Sequence, residues 1–221
     1  MDEFEKIFEK LARQDDPNKI FNNFLDYVIH INLITKSTLE DLELKEEQTN
    51  YFNMFNAWIQ ITNTYLQNNP KEKWYDYLGL FYENVIQSKY KAGARGQFFT
   101  PTNVCESMAR LTLLNPEDDF KGKIINDSSC GSGRLLLAAH GINPLAVCIG
   151  QDLDLMAVKM CVLNFYIHGV VGSVINMNSL SNEFFGAYRI NKYLWYGVPV
   201  PHIEFVNYVG AHEFINIKGE R

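Results

Sequence analysis

Lys-Ile-Ile-Asn-Asp-Ser-Ser-Cys-Gly-Ser-Gly-Arg-Leu-Leu-Leu-Ala-Ala-His, residues 123–140, decides the fold. Lys123 to Asp127 is a short apolar run that ends in a carboxylate, which predicts a buried strand. Gly131 and Gly133, two residues apart, allow the backbone to turn sharply and pass close to a ligand. Ser132 to His140 then reads as a helix. Downstream, Ala146 to Gly150 is a second buried strand, and Leu153 to Gly169 is a long helix with Met156, Met160, Leu163 and Ile167 on one face. Ser173 to Asn176 is a third strand. The order β-α-β-α-β predicts a parallel sheet with right-handed crossovers.

Upstream the character changes. Phe4, Ile7, Phe8 and Leu11 recur at helical spacing, and Asp16-Pro17 reads as a cap and first-turn proline. Ile20, Phe21, Phe24, Leu25, Val28 and Ile29 continue a second helix. Tyr51 to Thr62 predicts a third, stopped at Asn68-Asn69-Pro70. Trp74, Tyr77, Leu78, Phe81, Tyr82 and Val85 predict a fourth. At this spacing the aromatics are core. The chain thus divides into a helical region, residues 1–95, and an α/β region, residues 96–221, with a shortened Rossmann-like parallel sheet.

The 221 residues are 47% hydrophobic and 21% charged, which excludes intrinsic disorder. No apolar run has the length of a membrane span, and Met1 to Asp16 has no apolar signal core. The net charge of −6 disfavours a broad phosphate-binding surface. Cys105, Cys130, Cys148 and Cys161 lack metal-ligand spacing, so reduced thiols, a cytoplasmic setting and no metal are expected.

The glycine loop suits a nucleotide-like ligand at a strand's carboxyl end. Leu136 stands where a dinucleotide fingerprint needs a third small residue, and no G-x-x-x-x-G-K-[ST] occurs. S-adenosylmethionine remains, its ammonium facing Asp127. Asp152, after the second strand, is placed to meet a ribose; it could equally cap the helix from Leu153. Thr100 and Pro101 predict a helix cap and first-turn proline, with Phe98-Phe99 available to wall an apolar pocket.

Three segments together are specific: Gln97-Phe98-Phe99-Thr100-Pro101, Asp127-x-x-Cys130-Gly131-Ser132-Gly133-x-Leu135-Leu136, and Gly150-Gln151-Asp152 followed by Asn164 and His168-Gly169. Over residues 73–181 the chain resembles the modification subunit of type I restriction–modification systems, which are adenine-N6 DNA methyltransferases. The resemblance implies a helical domain ahead of an S-adenosylmethionine-binding methyltransferase fold. It implies that Phe99, Thr100 and Pro101 line the methionine side of the pocket. Asp127, Cys130, Gly131, Ser132 and Gly133 would wrap the methionine moiety, Asp152 with Leu153 would hold the ribose, and Asn178 would sit by the adenine ring. The family usually has Asp at that last position; an amide oxygen can still accept from the adenine amino group.

The family's Asn-Pro-Pro-aromatic segment is absent. Asn69-Pro70, Asn115-Pro116 and Asn143-Pro144 continue with Lys71, Glu117 and Leu145, and Val198-Pro199-Val200-Pro201 has no amide before its prolines. Residues 181–221 are too few for four more strands. They are expected to supply a hairpin, Ile203 to Tyr208 and Glu213 to Ile217, over an open sheet edge. Lys89, Lys91 and Arg95 could meet DNA phosphate. The expectation is a donor-binding protein without its catalytic segment, inactive alone or completed by a partner chain in a homo- or hetero-oligomer, with DNA contacted only in that company. A non-enzymatic scaffold and a small-molecule methyltransferase using His202 as base are the alternatives.

Overall fold

The structure is a computed structural model that describes residues 1–33, 48–90, 99–113 and 123–206. The chain forms two compact units, Met1–Phe99 and Thr100–Arg221.

In the first unit, α1 (Glu3–Leu11) is capped by Asp2, whose carboxylate accepts from Glu5 N, and it buries Phe4, Phe8 and Leu11. α2 (Pro17–Ile31) starts as predicted, with Asp16 accepting from Asn18 N and Lys19 N ahead of the first-turn proline. α3 spans Gln48–Asn68. The fourth helical segment departs from expectation. Asp76 caps Gly79 N, so α4 begins at Tyr77 and runs to Phe81, and Trp74 precedes it. From Tyr82 to Tyr90 the chain continues as a π-helix, a rare form that strand and helix periodicity cannot announce. Phe81 is the hub of the core: its ring lies 4.9 Å from Phe4 and Phe8 and 5.6 Å from Phe21, the first two pairs edge-on. That geometry sets the positive ring edge against the negative face. Lys89 falls in the last turn of the π-helix, while Lys91 and Arg95 lie outside the described residues, as do Gln97 and Phe98.

In the second unit, α5 (Thr102–Leu113) precedes β1 (Ile124–Asp127), α6 (Arg134–Ile142), β2 (Val147–Asp152), α7 (Leu155–His168) and β3 (Gly172–Asn178). The three strands are parallel and neighbours in sequence order, β1 beside β2 and β2 beside β3. The expected β-α-β-α-β unit is therefore present. It extends into a mixed sheet through β4 (Glu183–Ile190), which runs antiparallel to β3 with a bulge at Asn176/Met177. β4 has no counterpart in the strands that the sequence predicts. The reversal is made by Asn182 in a left-handed conformation, φ 57°, a conformation Asn tolerates and other side chains rarely adopt. α8 (Lys192–Trp195) and β5 (Ile203–Val206) follow.

β5 pairs antiparallel with β4, at the edge opposite β1. The predicted tail strand exists over Ile203–Val206, and among the described residues it pairs with β4. The second half of the expected hairpin, Glu213 to Ile217, lies outside the described residues. Among the described residues β1 has a neighbour on one side only.

Two residues hold this arrangement. Gly172 passes so close to β2 that an added Cβ would sit 1.9 Å from the Cys148 carbonyl oxygen. Asn191, fully buried and left-handed at φ 56°, donates to Phe165 O and Val170 O at the end of α7. Its side-chain oxygen accepts from His202 N. His202 thus stands where Ile190 pairs with Ile203, beside Gly172 at the amino end of β3. The glycine loop is at the carboxyl end, about 20 Å away at ~3.3 Å per residue. This overturns the reading of His202 as a base for a ligand on that loop.

Gly172→Ala is expected to destabilise the protein by more than about 3 kcal/mol, because the clashing atom is backbone and cannot swing aside. Urea unfolding checks it; a loss under 1 kcal/mol would contradict the close β2–β3 approach.

Candidate functional site

β1 ends in Asp127, and its carboxylate accepts from Ser129 N at 3.1 Å, starting the turn. The loop then closes on itself. Cys130 N donates to Gln151 O at 2.8 Å, and Gly133 N donates to Cys130 O at 2.8 Å. Gly131 at φ 55° and Gly133 at φ 91° are left-handed, which explains both glycines. Gly133 is the N-cap of α6, so the helix starts at Arg134, two residues later than predicted.

Three later elements clamp this loop. The Asp152 carboxylate, at the end of β2, accepts from Gly131 N at 2.8 Å. Asn164, fully buried on α7, donates its amide to Ser132 O at 2.9 Å. Ser179, just past β3, donates its hydroxyl to Ser128 O at 2.8 Å. Each clamp comes from a different element of the sheet unit, so the loop is fixed only once β2, α7 and β3 have assembled. Asn164 was legible as part of the motif pattern, though not in this role. Ser179 was missed as a clamp, and nothing in its spacing signals one.

Asp152 does not cap the following helix. Asp154 does, accepting from Met156 N at 2.7 Å and Ala157 N at 3.4 Å. The other oxygen of Asp152 accepts from Asp154 N at 2.9 Å. Each carboxylate oxygen so used keeps a further lone pair.

Cys130 is buried, and its thiol lies beside Gly150 and Cys161. A Cβ on Gly150 would meet its sulfur at 3.0 Å and that of Cys161 at 3.3 Å. Its backbone donor and acceptor are both engaged, so Cys130 packs the floor of the site. Cys161 is fully buried, and burial pushes its thiol well above the usual range. Ser132 is buried as well.

Thr100 and Pro101 differ from expectation in detail. Val104 N and Cys105 N both donate to Pro101 O at 3.0 Å, so Pro101 is the cap residue and Thr100 lies just outside the helix. Thr100 O accepts from the guanidinium of the buried Arg134 at 3.5 Å, which ties this segment to the start of α6. Phe99 belongs to the first unit, where its N–H donates to Glu83 at 3.1 Å and its ring meets Tyr82. Leu153, after β2, is 61% exposed, and Leu180, after β3, is 99% exposed. Asn178 ends β3, and its side-chain oxygen accepts from Leu180 N at 3.1 Å and Ser181 N at 3.3 Å. That oxygen, expected to meet an adenine amino group, is committed to the turn.

The electrostatics favour a cation. Ser129, Cys130, Gly131 and Gly133 spend their N–H groups inside the protein, so the loop is a poor phosphate cradle. Asp127 and Asp152 end adjacent strands, with no ion pair to either among the described residues. Burial raises the Asp127 pKa; the Ser129 N–H bond lowers it, and the Asp152 charge raises it again. Among the described residues there is no group of three His, Cys, Asp or Glu able to hold a metal ion, and no helix long and apolar enough to cross a membrane.

Gly133→Ala would place a Cβ 2.7 Å from the Cys161 sulfur at a left-handed φ. A cost of at least about 2 kcal/mol is expected. Adding Cys161→Ala should recover the steric part only; urea unfolding of both variants checks it, and a neutral Gly133→Ala would refute the packing.

Residues 73–193 match the family model for N-6 DNA methylase. The chain is 30% identical over 156 residues to the type I restriction enzyme MjaVIII methylase subunit of Methanocaldococcus jannaschii, covering 68% of this chain and 26% of that protein. It is 28% identical over 130 residues to the type I restriction enzyme MpnII methylase subunit of Mycoplasma pneumoniae, covering 52% and 23%. The crystal structure of the type I restriction-modification system methyltransferase subunit from Streptococcus thermophilus matches at 29% identity and a TM-score of 0.33, over 49% of this chain and 22% of that one. The chain thus spans about a quarter of the length of these relatives. With the glycine loop, the strand-end acids and the family match in one continuous segment, the chain belongs to the N-6 DNA methylase family.

Proposed function

We propose that the second unit binds S-adenosylmethionine at the carboxyl ends of β1, β2 and β3, as the donor-holding part of a DNA adenine-N6 methyltransferase. The observation that carries this is the pairing of an amide-poor, clamped glycine loop with two carboxylates that lack a cationic partner among the described residues. A phosphate ligand would need the free amides; a ligand bearing an ammonium and a sulfonium needs the carboxylates.

Asp127 would take the ammonium, and the remaining lone pairs of Asp152 would take the ribose hydroxyls. Gly131, Ser132 and Gly133 would let the methionine chain lie against bare backbone, with Cys130 as the floor. Thr100 and Pro101, held by Arg134, would flank the methionine end; Phe99, expected there from the resemblance, belongs to the first unit. Leu153 would pack on the ribose and Asn178 would meet the base. When bound, the donor supplies an electrophilic methyl group; this chain's residues bind it, orient it and keep water from its polar end.

The 221 residues contain no Asn-Pro-Pro-aromatic segment to accept hydrogen bonds from a target amino group. We infer that a polypeptide segment beyond these residues supplies it, and that DNA is engaged only with that segment in place. The net charge of −6 supports this, since phosphate binding needs clustered basic residues.

Titration calorimetry with S-adenosylmethionine is expected to give a Kd below about 100 μM, or roughly 5.5 kcal/mol. No binding by folded protein would leave a scaffold role in its place. Tritiated methyl transfer from the isolated chain to unmethylated DNA is expected to be absent, and robust turnover would overturn the missing-segment reading.

Asp127→Asn separates the carboxylate's two effects. An Asp with a raised native pKa stabilises the fold below its unfolded pKa and loses that contribution as pH rises through the native pKa. At pH 7, therefore, Asp127→Asn should raise the melting temperature while weakening donor binding at least tenfold. A fall in both would show that Asp127 is structural.

A further inference from the structure

We propose that Asn178 reads the base of the bound nucleoside as a hydrogen-bond donor, so that this site recognises a ring acceptor of the purine and ignores its 6-amino group. The inference rests on the donor-site reading above and deepens it.

The orientation of the amide is fixed by its surroundings. Leu180 N and Ser181 N both donate to the Asn178 side-chain oxygen, at 3.1 and 3.3 Å. A flipped amide would aim N–H groups at two N–H groups, which is repulsive, so the oxygen belongs to the turn. The NH2 group is what remains. It has no partner among the described residues, and the side chain is half-buried at the carboxyl end of β3. An NH2 group donates and has no useful lone pair. Whatever base lies against it must offer an acceptor.

The position is built for a base. Ser179, the next residue, is the one that clamps Ser128 of the glycine loop, so the turn is tied to the loop. Leu153 and Leu180, 61% and 99% exposed, follow the ends of the adjacent strands β2 and β3 and offer apolar surface there. An oriented amide NH2 on the turn that carries Leu180, with Leu153 at the end of the neighbouring strand, supplies one polar contact and nearby apolar surface, the two ingredients a small-ligand subsite combines.

An Asp in the same turn would behave oppositely. One oxygen would still accept from Leu180 N and Ser181 N, but the other would face the base as an acceptor and call for the 6-amino group. Asn178→Asp therefore inverts the polarity of the contact with almost no change of shape.

The test is calorimetric binding of S-adenosylhomocysteine and of its 6-deamino analogue, in which hydrogen replaces the amino group. The native chain is expected to bind the two within about threefold. Asn178→Asp is expected to prefer the amino-bearing form by at least tenfold, with its melting temperature within a few degrees of the native value. Loss of the amino group costing the native chain tenfold or more would overturn the inference and leave the donor site standing. An Asn178→Asp variant that is folded yet shows no amino preference would also overturn it. Failure of the native chain to bind S-adenosylhomocysteine at all would sink the site reading, and this inference with it.

Discussion

The Asp152 carboxylate on Gly131 N is the contact that the site depends on. Gly131 and Gly133 both adopt left-handed backbone, a conformation glycine visits freely and therefore also leaves freely. Something must select it. A charge-assisted bond to a backbone N–H is roughly twice as strong as a neutral one, and here it joins the first strand's loop to the second strand's end. Asn164 and Ser179 then fix the neighbouring carbonyls. Every one of these partners lies after the loop in sequence, so the loop's shape is a product of the assembled sheet.

That dependence explains what was legible in the amino acids. Strand-loop-helix order, the two glycines and the acids at 127 and 152 could be read because each answers to a local rule: apolar run, turn chemistry, carboxylate at a strand end. The roles of Asn164 and Ser179 could not, because a hydrogen bond across 32 or 51 residues leaves no local trace. β4 went unread for a similar reason. Glu-Phe-Phe-Gly-Ala-Tyr-Arg-Ile, residues 183–190, has a bulge against β3, so its faces do not alternate cleanly. The Asp152 and Asp154 pair shows the limit of motif reading. Both stand where a cap could stand, and only the geometry assigns the cap to Asp154 and the loop bond to Asp152.

The sheet itself indicates where the rest of the chemistry belongs. In open α/β sheets, ligands settle where the strand order reverses, at the carboxyl ends of two strands whose crossovers leave in opposite directions. Here β1, β2 and β3 advance one way only, and among the described residues nothing pairs with the free edge of β1. Ile124, on that edge, is 39% exposed, unlike the buried Val147 and Val174 of the inner strands. One side of a switch point is therefore present, and it is the side to which the proposed donor site is assigned.

Charge separates the two sides further. Burial raises the Asp127 pKa, and the neighbouring Asp152 charge adds a smaller push in the same direction. A bound cation relieves that repulsion, so ligand binding and local electrostatic relief are the same event. A DNA phosphate brought to the same strand ends would meet both charges with the wrong sign. With salt screening reaching only about 8 Å at physiological ionic strength, a nucleic-acid strand must approach over a surface other than this one. On the proposed reading, the acidic strand ends take the donor, and a target base would arrive from beyond them.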